Sequence, residues 1–150
     1  MDLIKIEGIV EIQIGEKKFF FKNTITNSGL YLIAQLISHN EEYSDFVKYI
    51  ELGKGTTSPT PSDTDLQNPV TSTLKTFYQS IPNMNTTSFS FFYSIIEAND
   101  TWSEMGLFSS KDFSNVTGKE LIARIVLNPP IEKKNTNNLD INWRWSINRV

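Results

Sequence analysis

Between residues 139 and 148 the chain reads LDINWRWSIN. Leu139, Ile141, Trp143, Trp145 and Ile147 alternate without a break against Asp140, Asn142, Arg144, Ser146 and Asn148. A period of two belongs to a pleated strand, whose side chains point alternately to opposite faces. Two tryptophans and three aliphatic residues on one side require a covering layer. A slip of one residue would turn all five into solvent. The pattern therefore predicts one buried face shared by these five residues, and a fold in which a sheet is covered on one side.

Other stretches repeat the signal. Ile4, Ile6, Val10, Ile12 and Ile14 alternate with charged and amide residues over 3–14, and Gly15-Glu16 leads into a second strand over Lys17–Ile25, making a hairpin. Asn27-Ser28 reads as the cap of a helix over 28–38, with Leu30, Ile33, Leu36 and Ile37 on one face; the polar residues 39–45 end it. Strands are expected at Val47–Leu52, Leu74–Ile81, Thr87–Glu97 and Leu121–Leu127, the last stopping at Pro129-Pro130. A turn is expected at Asn99-Asp100-Thr101 and a bend at Met105-Gly106-Leu107-Phe108. The sum is a mainly β chain, an antiparallel β-sandwich or barrel of about seven to eight strands with one α-helix packed on it. At 150 residues one domain is the default, 1–150.

Composition narrows the function. Fourteen basic and 17 acidic residues give a net charge of −3, spread along the chain, so the basic footprint of nucleic-acid binding is missing. Without cysteine there is no disulfide, thiolate nucleophile or cysteine metal site. The N-terminal MDLIKIEGIVEIQ puts charges inside its apolar stretch, unlike a signal peptide, and no run reaches the length of a membrane helix. Synthesis in a cytosol is expected, so the Asn-x-Thr matches at Asn85, Asn99 and Asn115 carry little weight.

The stretch GKGTTSPTPSDTDL, residues 53–66, looks most like a site. A phosphate-gripping loop needs two glycines four residues apart, then Lys and Ser/Thr opening a helix. Here Lys54 lies between Gly53 and Gly55, and Pro59 and Pro61 suit a turn. Asp63-Thr64-Asp65 lacks the further ligands and central glycine of a calcium loop, so Asp63 is expected to cap a short turn or helix beginning near Thr64. The single histidine, His39, reads as a solvated surface residue, and no G-x-S-x-G elbow occurs. Glu97, Asp100 and Glu104 could imitate a hydrolase carboxylate pair, but turn chemistry accounts for them. The expectation is no enzyme, cofactor or metal. The loop becomes a rigid connection: Gly53 and Gly55 permit positive φ or close backbone approach, Pro59 stiffens it, Asp63 satisfies backbone donors, and Gly106 bends a later strand.

An ordered set of motifs adds to this. Asn27-Ser28-Gly29-Leu30 with Ile33-Ala34 is followed by Ile50-Glu51-Leu52-Gly53-Lys54-Gly55-Thr56-Thr57-Ser58-Pro59-Thr60 and Asp63-Thr64-Asp65-Leu66. Then come Ser103-Glu104-Met105-Gly106-Leu107-Phe108, Leu121-Ile122-Ala123-Arg124 and Leu139-Asp140-Ile141-Asn142-Trp143-Arg144-Trp145. From about residue 20 to the end, this succession resembles a group of small bacteriophage virion proteins, many labelled tail-fibre or structural. That group often has an acidic residue and an arginine soon after the Leu66 position, where this chain reads Gln67-Asn68-Pro69-Val70. The resemblance implies a virion location, as a capsid decoration or a tail-fibre or baseplate component, with copies of itself and other virion proteins as partners. Neither a membrane nor a nucleic acid is expected as a partner.

Two aromatic triplets bear on assembly. Phe19, Phe20 and Phe21, and likewise Phe91, Phe92 and Tyr93, are consecutive, so one side chain of each triplet must oppose the other two. These six are the interface candidates. Exposed aromatics beside Asn or Asp would equally suit a carbohydrate- or receptor-binding sandwich, with a host-surface glycan as partner.

Overall fold

The computed structural model describes residues 3–39, 46–110 and 118–150. Residues 40–45 of the expected polar break, and Asn115, lie outside them. The fold is mainly β and antiparallel with one α-helix, as expected. Among the described residues ten strands, against the seven or eight expected, form two open five-stranded sheets.

The chain divides into two compact units and passes between them at 23/24, 76/77, 100/101 and 131/132. The first unit holds β1 (Ile4–Ile14), β2 (Lys17–Lys22), β6 (Gln79–Asn83), β7 (Thr86–Tyr93) and β10 (Leu139–Arg149), in the order β2-β1-β10-β7-β6. The register places Val10 between Phe21 and Trp143, and Ile12 between Phe19 and Ile141. Phe91 continues the second row beyond Ile141. Val10, Ile12, Phe91, Tyr93, Leu139, Ile141, Trp143 and Trp145 are buried on this face. Ile147 departs from its expected place and is 47% exposed. It lies near the end of β10, past the last pair that β7 makes, Ser146 with Thr86.

The expected second strand over 17–25 is broken at Asn23. Its Oδ1 accepts hydrogen bonds from Trp143 Nε1 (2.7 Å) and Trp145 Nε1 (3.2 Å). Two buried indole N–H groups thereby gain a partner. Asn23 crosses directly over Gly8, where a Cβ would lie within 1.7 Å of Oδ1. Gly8 is thus required by close approach. The other hairpin turn uses Gly15 at φ 59, which glycine adopts without strain.

The second unit holds β3 (Thr24–Ile25), α1 (Asn27–Ser38), β4 (Phe46–Gly53), β5 (Lys75–Thr76), most of β8 (Asp100–Ser110) and most of β9 (Glu120–Lys133), in the sheet order β3-β9-β8-β4-β5. Thr26, not Asn27 or Ser28, caps α1: its Oγ1 accepts from Gly29 N at 3.2 Å and donates to Leu121 O at 2.6 Å. Gly29 lets the helix backbone settle on β9, since a Cβ there would lie 2.3 Å from Ile122 O. The buried residues of α1 are Gly29 and Leu32, whereas Leu30, Leu36 and Ile37 are exposed. The apolar stripe read from the sequence is thus largely turned outward.

Two strands run further than expected. The bend at Met105–Phe108 does not form: β8 is continuous from Asp100, which also removes the turn at 99–101. Gly106 sits inside β8 because a Cβ would crowd Leu121, Leu66 and Phe108 at 2.8–2.9 Å. β9 continues through Pro129-Pro130 to Lys133. β3 pairs with β9 only at Ala123 and Arg124, so the donor-less prolines lie beyond its reach. The strand expected over 74–81 is two short ones, and the turn after β6 falls at Met84-Asn85, with Met84 at φ 55.

Candidate functional site

The residues of the ordered motif that lie far apart in sequence meet above the sheet of the second unit. β4 ends at Gly53, directly opposite Glu104 of β8. The Glu104 side chain is fully buried. Its Oε1 accepts from Gly55 N (2.8 Å) and Asn68 N (2.7 Å), and its Oε2 from Gln67 N (3.0 Å). The same Oε2 accepts from Arg124 Nε (3.0 Å) and Nη2 (2.8 Å). Arg124, on β9, is also buried. Its Nη1 donates to Asp63 Oδ2 at 2.9 Å and its Nη2 to Thr57 Oγ1 at 3.3 Å. Two carboxylates thus hold one guanidinium, and one of them also holds both ends of the loop.

The loop that begins at Gly53 does cradle an anion, but the anion is the protein's own. Amides of Gly55, Gln67 and Asn68 converge on a carboxylate, as such groups converge on phosphate elsewhere. The loop geometry requires both glycines. Cβ atoms would lie 2.5 Å from Glu104 Oε1 at Gly53, and 2.5 Å from Gln67 Cβ and 2.6 Å from Glu104 Oε1 at Gly55. Close approach, not positive φ, is the reason for glycine here. Lys54 turns away from this nest, its Nζ 5.6 Å from the centre of the Trp102 ring.

Asp63 does not start a helix. Its carboxylate accepts from Thr60 N (3.0 Å) and Thr60 Oγ1 (2.8 Å), closing a turn around Pro61 while reaching Arg124. Burial pushes the Asp63 carboxyl up, but the Thr60 hydrogen bonds and the Arg124 guanidinium together outweigh it and hold it below the usual carboxylate range. Pro61 O accepts from Asn27 N at 2.8 Å, tying the loop to the start of α1. Pro59 is half-buried in the same turn. Gln67 Oε1 caps Thr56 N (2.7 Å) and Thr57 N (2.9 Å), and Leu66 packs with Tyr49, Phe108 and Leu121.

Beside this tie lies a less satisfied carboxylate. Glu51 is fully buried and neither oxygen has a hydrogen-bond partner. Lys119 Nζ stands 3.7 Å from Glu51 Oε1 and 3.8 Å from Asp65 Oδ1. Burial raises the Glu51 carboxyl above its ordinary value, with Lys119 opposing. Among the described residues no group of three or more His, Asp or Glu side chains is placed to hold a metal ion. No described helix is long and apolar enough to cross a membrane.

The interface candidates divide as the pleat requires. Phe19 and Phe21 are half-buried while Phe20 is 64% exposed; Phe91 and Tyr93 are buried while Phe92 is 37% exposed. Trp143 and Trp145 belong to the buried face. His39 is exposed at the C-terminus of α1. From the sequence Glu104 stands out only as a motif residue and a possible hydrolase carboxylate, and Arg124 has no evident role. The signal that could have found Arg124 is its place inside the apolar run LIARIVL, where a buried charge needs a partner.

No protein-family model, curated protein or solved structure matches the chain.

Proposed function

We propose that this chain is a non-enzymatic structural protein of a bacteriophage virion, made in the host cytoplasm and assembled on the particle as a capsid decoration or a tail-fibre or baseplate component. The observation that carries the reading is the convergence just described. Gly53, Gly55, Asp63, Glu104 and Arg124 come from separate stretches of the motif on which the resemblance rests. Their shared use is one buried tie, with Arg124 and Glu104 sealed from solvent. A motif spent on holding a loop rigid suits a particle component better than a catalyst, whose reacting groups must meet a substrate.

Assembly is supported by apolar surface left outside. The exposed side chains of Phe20 and Phe92, and in the other unit Leu30, Leu36 and Ile37 on α1, are the kind of area a protein contact covers. The test is mass spectrometry of purified virions with copy number per particle. Serine variants at Phe20 and Phe92 should then be scored for incorporation. Presence in virions and loss of incorporation supports the reading; absence from purified virions defeats it.

A second reading has its own observation. An open groove on the outward face of the first sheet is lined by Glu11, Gln13, Tyr78, Ser90, Asp140 and Asn142, with Phe20 and Phe92 beside it in register. Hydroxyl-binding groups flanked by exposed aromatics are what a saccharide site uses. A glycan array with the purified protein separates the two.

A further inference from the structure

At the end of β9, Lys133 is a buried lysine, 1% exposed, whose Nζ lies 2.7 Å from Asn99 Oδ1. Asn99 ends a turn that begins at Ser94, and its own Nδ2 is tied to Ile95 O at 2.8 Å. Both bonds fix the plane of the carboxamide next to the amine. Between them in sequence, Glu97 Oε2 accepts from Ser94 N at 2.8 Å, and Ala98 takes φ 52, a left-handed conformation uncommon for a residue with a Cβ. Burial lowers the Lys133 ammonium below its ordinary value, which favours the free amine; the Glu97 charge acts on it in the opposite sense. Lysine and a primary carboxamide are therefore in contact, with the charge of the Glu97 carboxylate felt at the amine, all within one unit.

We infer that Lys133 and Asn99 are the partners of an intramolecular isopeptide cross-link, formed with Glu97 as proton carrier. The Lys133 Nζ lone pair adds to Cγ of Asn99 after one proton passes to Glu97. The resulting tetrahedral centre collapses, breaking the Cγ–Nδ2 bond. The proton carried by Glu97 passes to the departing nitrogen, which leaves as ammonia; the second proton on Nζ then passes to Glu97 and on to solvent, leaving a neutral amide and an ionised Glu97. One C–N bond forms and one breaks, nothing is oxidised or reduced, and no co-reactant is required. Amides are poor electrophiles, so such a step depends on holding amine and carboxamide in contact, where effective molarities reach roughly 10⁵–10⁸ M. A buried lysine, whose ammonium form desolvation disfavours, supplies the nucleophile. Asn99 lies at the surface, so the ammonia escapes directly to solvent and the step does not reverse.

The test is the intact mass of the full-length protein after purification and prolonged incubation at neutral pH. The expected result is a mass about 17 Da below that of the sequence, for loss of ammonia on amide formation. Proteolysis should then yield one branched peptide joining the segments around Asn99 and Lys133. Asn99→Ala and Lys133→Arg should each have the full sequence mass, and Glu97→Gln should remain at full mass or lose ammonia at least tenfold more slowly. Lys133→Arg introduces a bulky buried cation, so Asn99→Ala, at a surface position, is the variant that decides if the first fails to fold. A wild-type chain at full mass with no branched peptide overturns the proposal. So does a deficit that persists in Asn99→Ala.

Discussion

Replacing Glu104 by glutamine removes one negative charge and one acceptor while keeping the shape of the side chain. Oε1 serves two amides and Oε2 serves one amide and two N–H groups of Arg124. Whichever oxygen becomes an NH₂ group, two or three donors lose their acceptor and face another donor. Arg124 keeps Asp63, but its closest counter-charge is gone. Breaking one partner of a buried pair costs about 3–5 kcal/mol, a large part of the 5–15 kcal/mol that holds a domain. Urea unfolding, followed by tryptophan fluorescence, should show that loss as a lower midpoint with an unchanged slope. A Glu104→Leu, Arg124→Met double variant should lose less than the two single changes together, because no fully buried charge is then stranded; Asp63 loses its guanidinium but is partly exposed. Even so, Gly55, Gln67 and Asn68 amides should exchange with solvent faster in it. A Glu104→Gln loss below about 1 kcal/mol would refute the reasoning, since that is the value of an exposed ion pair.

Trp143→Ala should cost about 3–5 kcal/mol, because the ring is fully buried and Asn23 also loses its closest donor; thermal or urea unfolding checks this. Glu51→Gln should stabilise the fold by roughly 1 kcal/mol at pH 8, by removing a buried charge without hydrogen bonds. The sign follows from its raised carboxyl: the folded state holds the proton more tightly, so wild type loses stability as pH rises through that value, and the gap between the two proteins should narrow toward pH 5. Asp63→Asn should cost about 1–2 kcal/mol at neutral pH and flatten the acid limb of a stability–pH curve. The lowered Asp63 carboxyl contributes stability above its unfolded value, about 3.9, that is lost as pH falls through the folded one. Lys54→Ala should leave the fold unchanged and ATP unbound, as calorimetry can test; micromolar affinity abolished by this variant would overturn the reading of the loop.

The strands were legible where one face is wet and the other is dry. Over 4–14 and 139–149 the alternation predicts register, and four of the five inward residues of β10 are buried as it requires. The facing of side chains is not legible where both faces are covered, although the strand itself is expected at Val47–Leu52 and forms. In FVKYIELG nearly every residue is buried, Lys48 and Glu51 included, so no period remains to read. The prolines and Gly106 mislead for a related reason. Local preference reads them as breaks, whereas tertiary packing admits Gly106 where three side chains crowd in, and Pro129-Pro130 where β3 does not reach. The loop was legible as rigid, because its glycines and prolines are local signals. Its partner was not: Glu104 lies 36 residues beyond Asn68, and no local pattern names the strand that carries the acceptor.

The two units solve a common problem with different groups. Each must stop a strand and lead the chain away while giving nearby buried donors an acceptor. In the first unit a carboxamide, Asn23, ends β2 and accepts from two indoles across Gly8. In the second a carboxylate, Glu104, receives the chain as it leaves β4, across Gly53 and Gly55. In both, the glycine is there because a polar side chain occupies the space its Cβ would fill. Hydrophobic pattern alone would tolerate alanine at all three positions. The polar clamp does not, and so it, and not the apolar face, decides where these strands end. That arrangement adds specificity at some cost in stability, since each clamp desolvates polar groups that water would have satisfied.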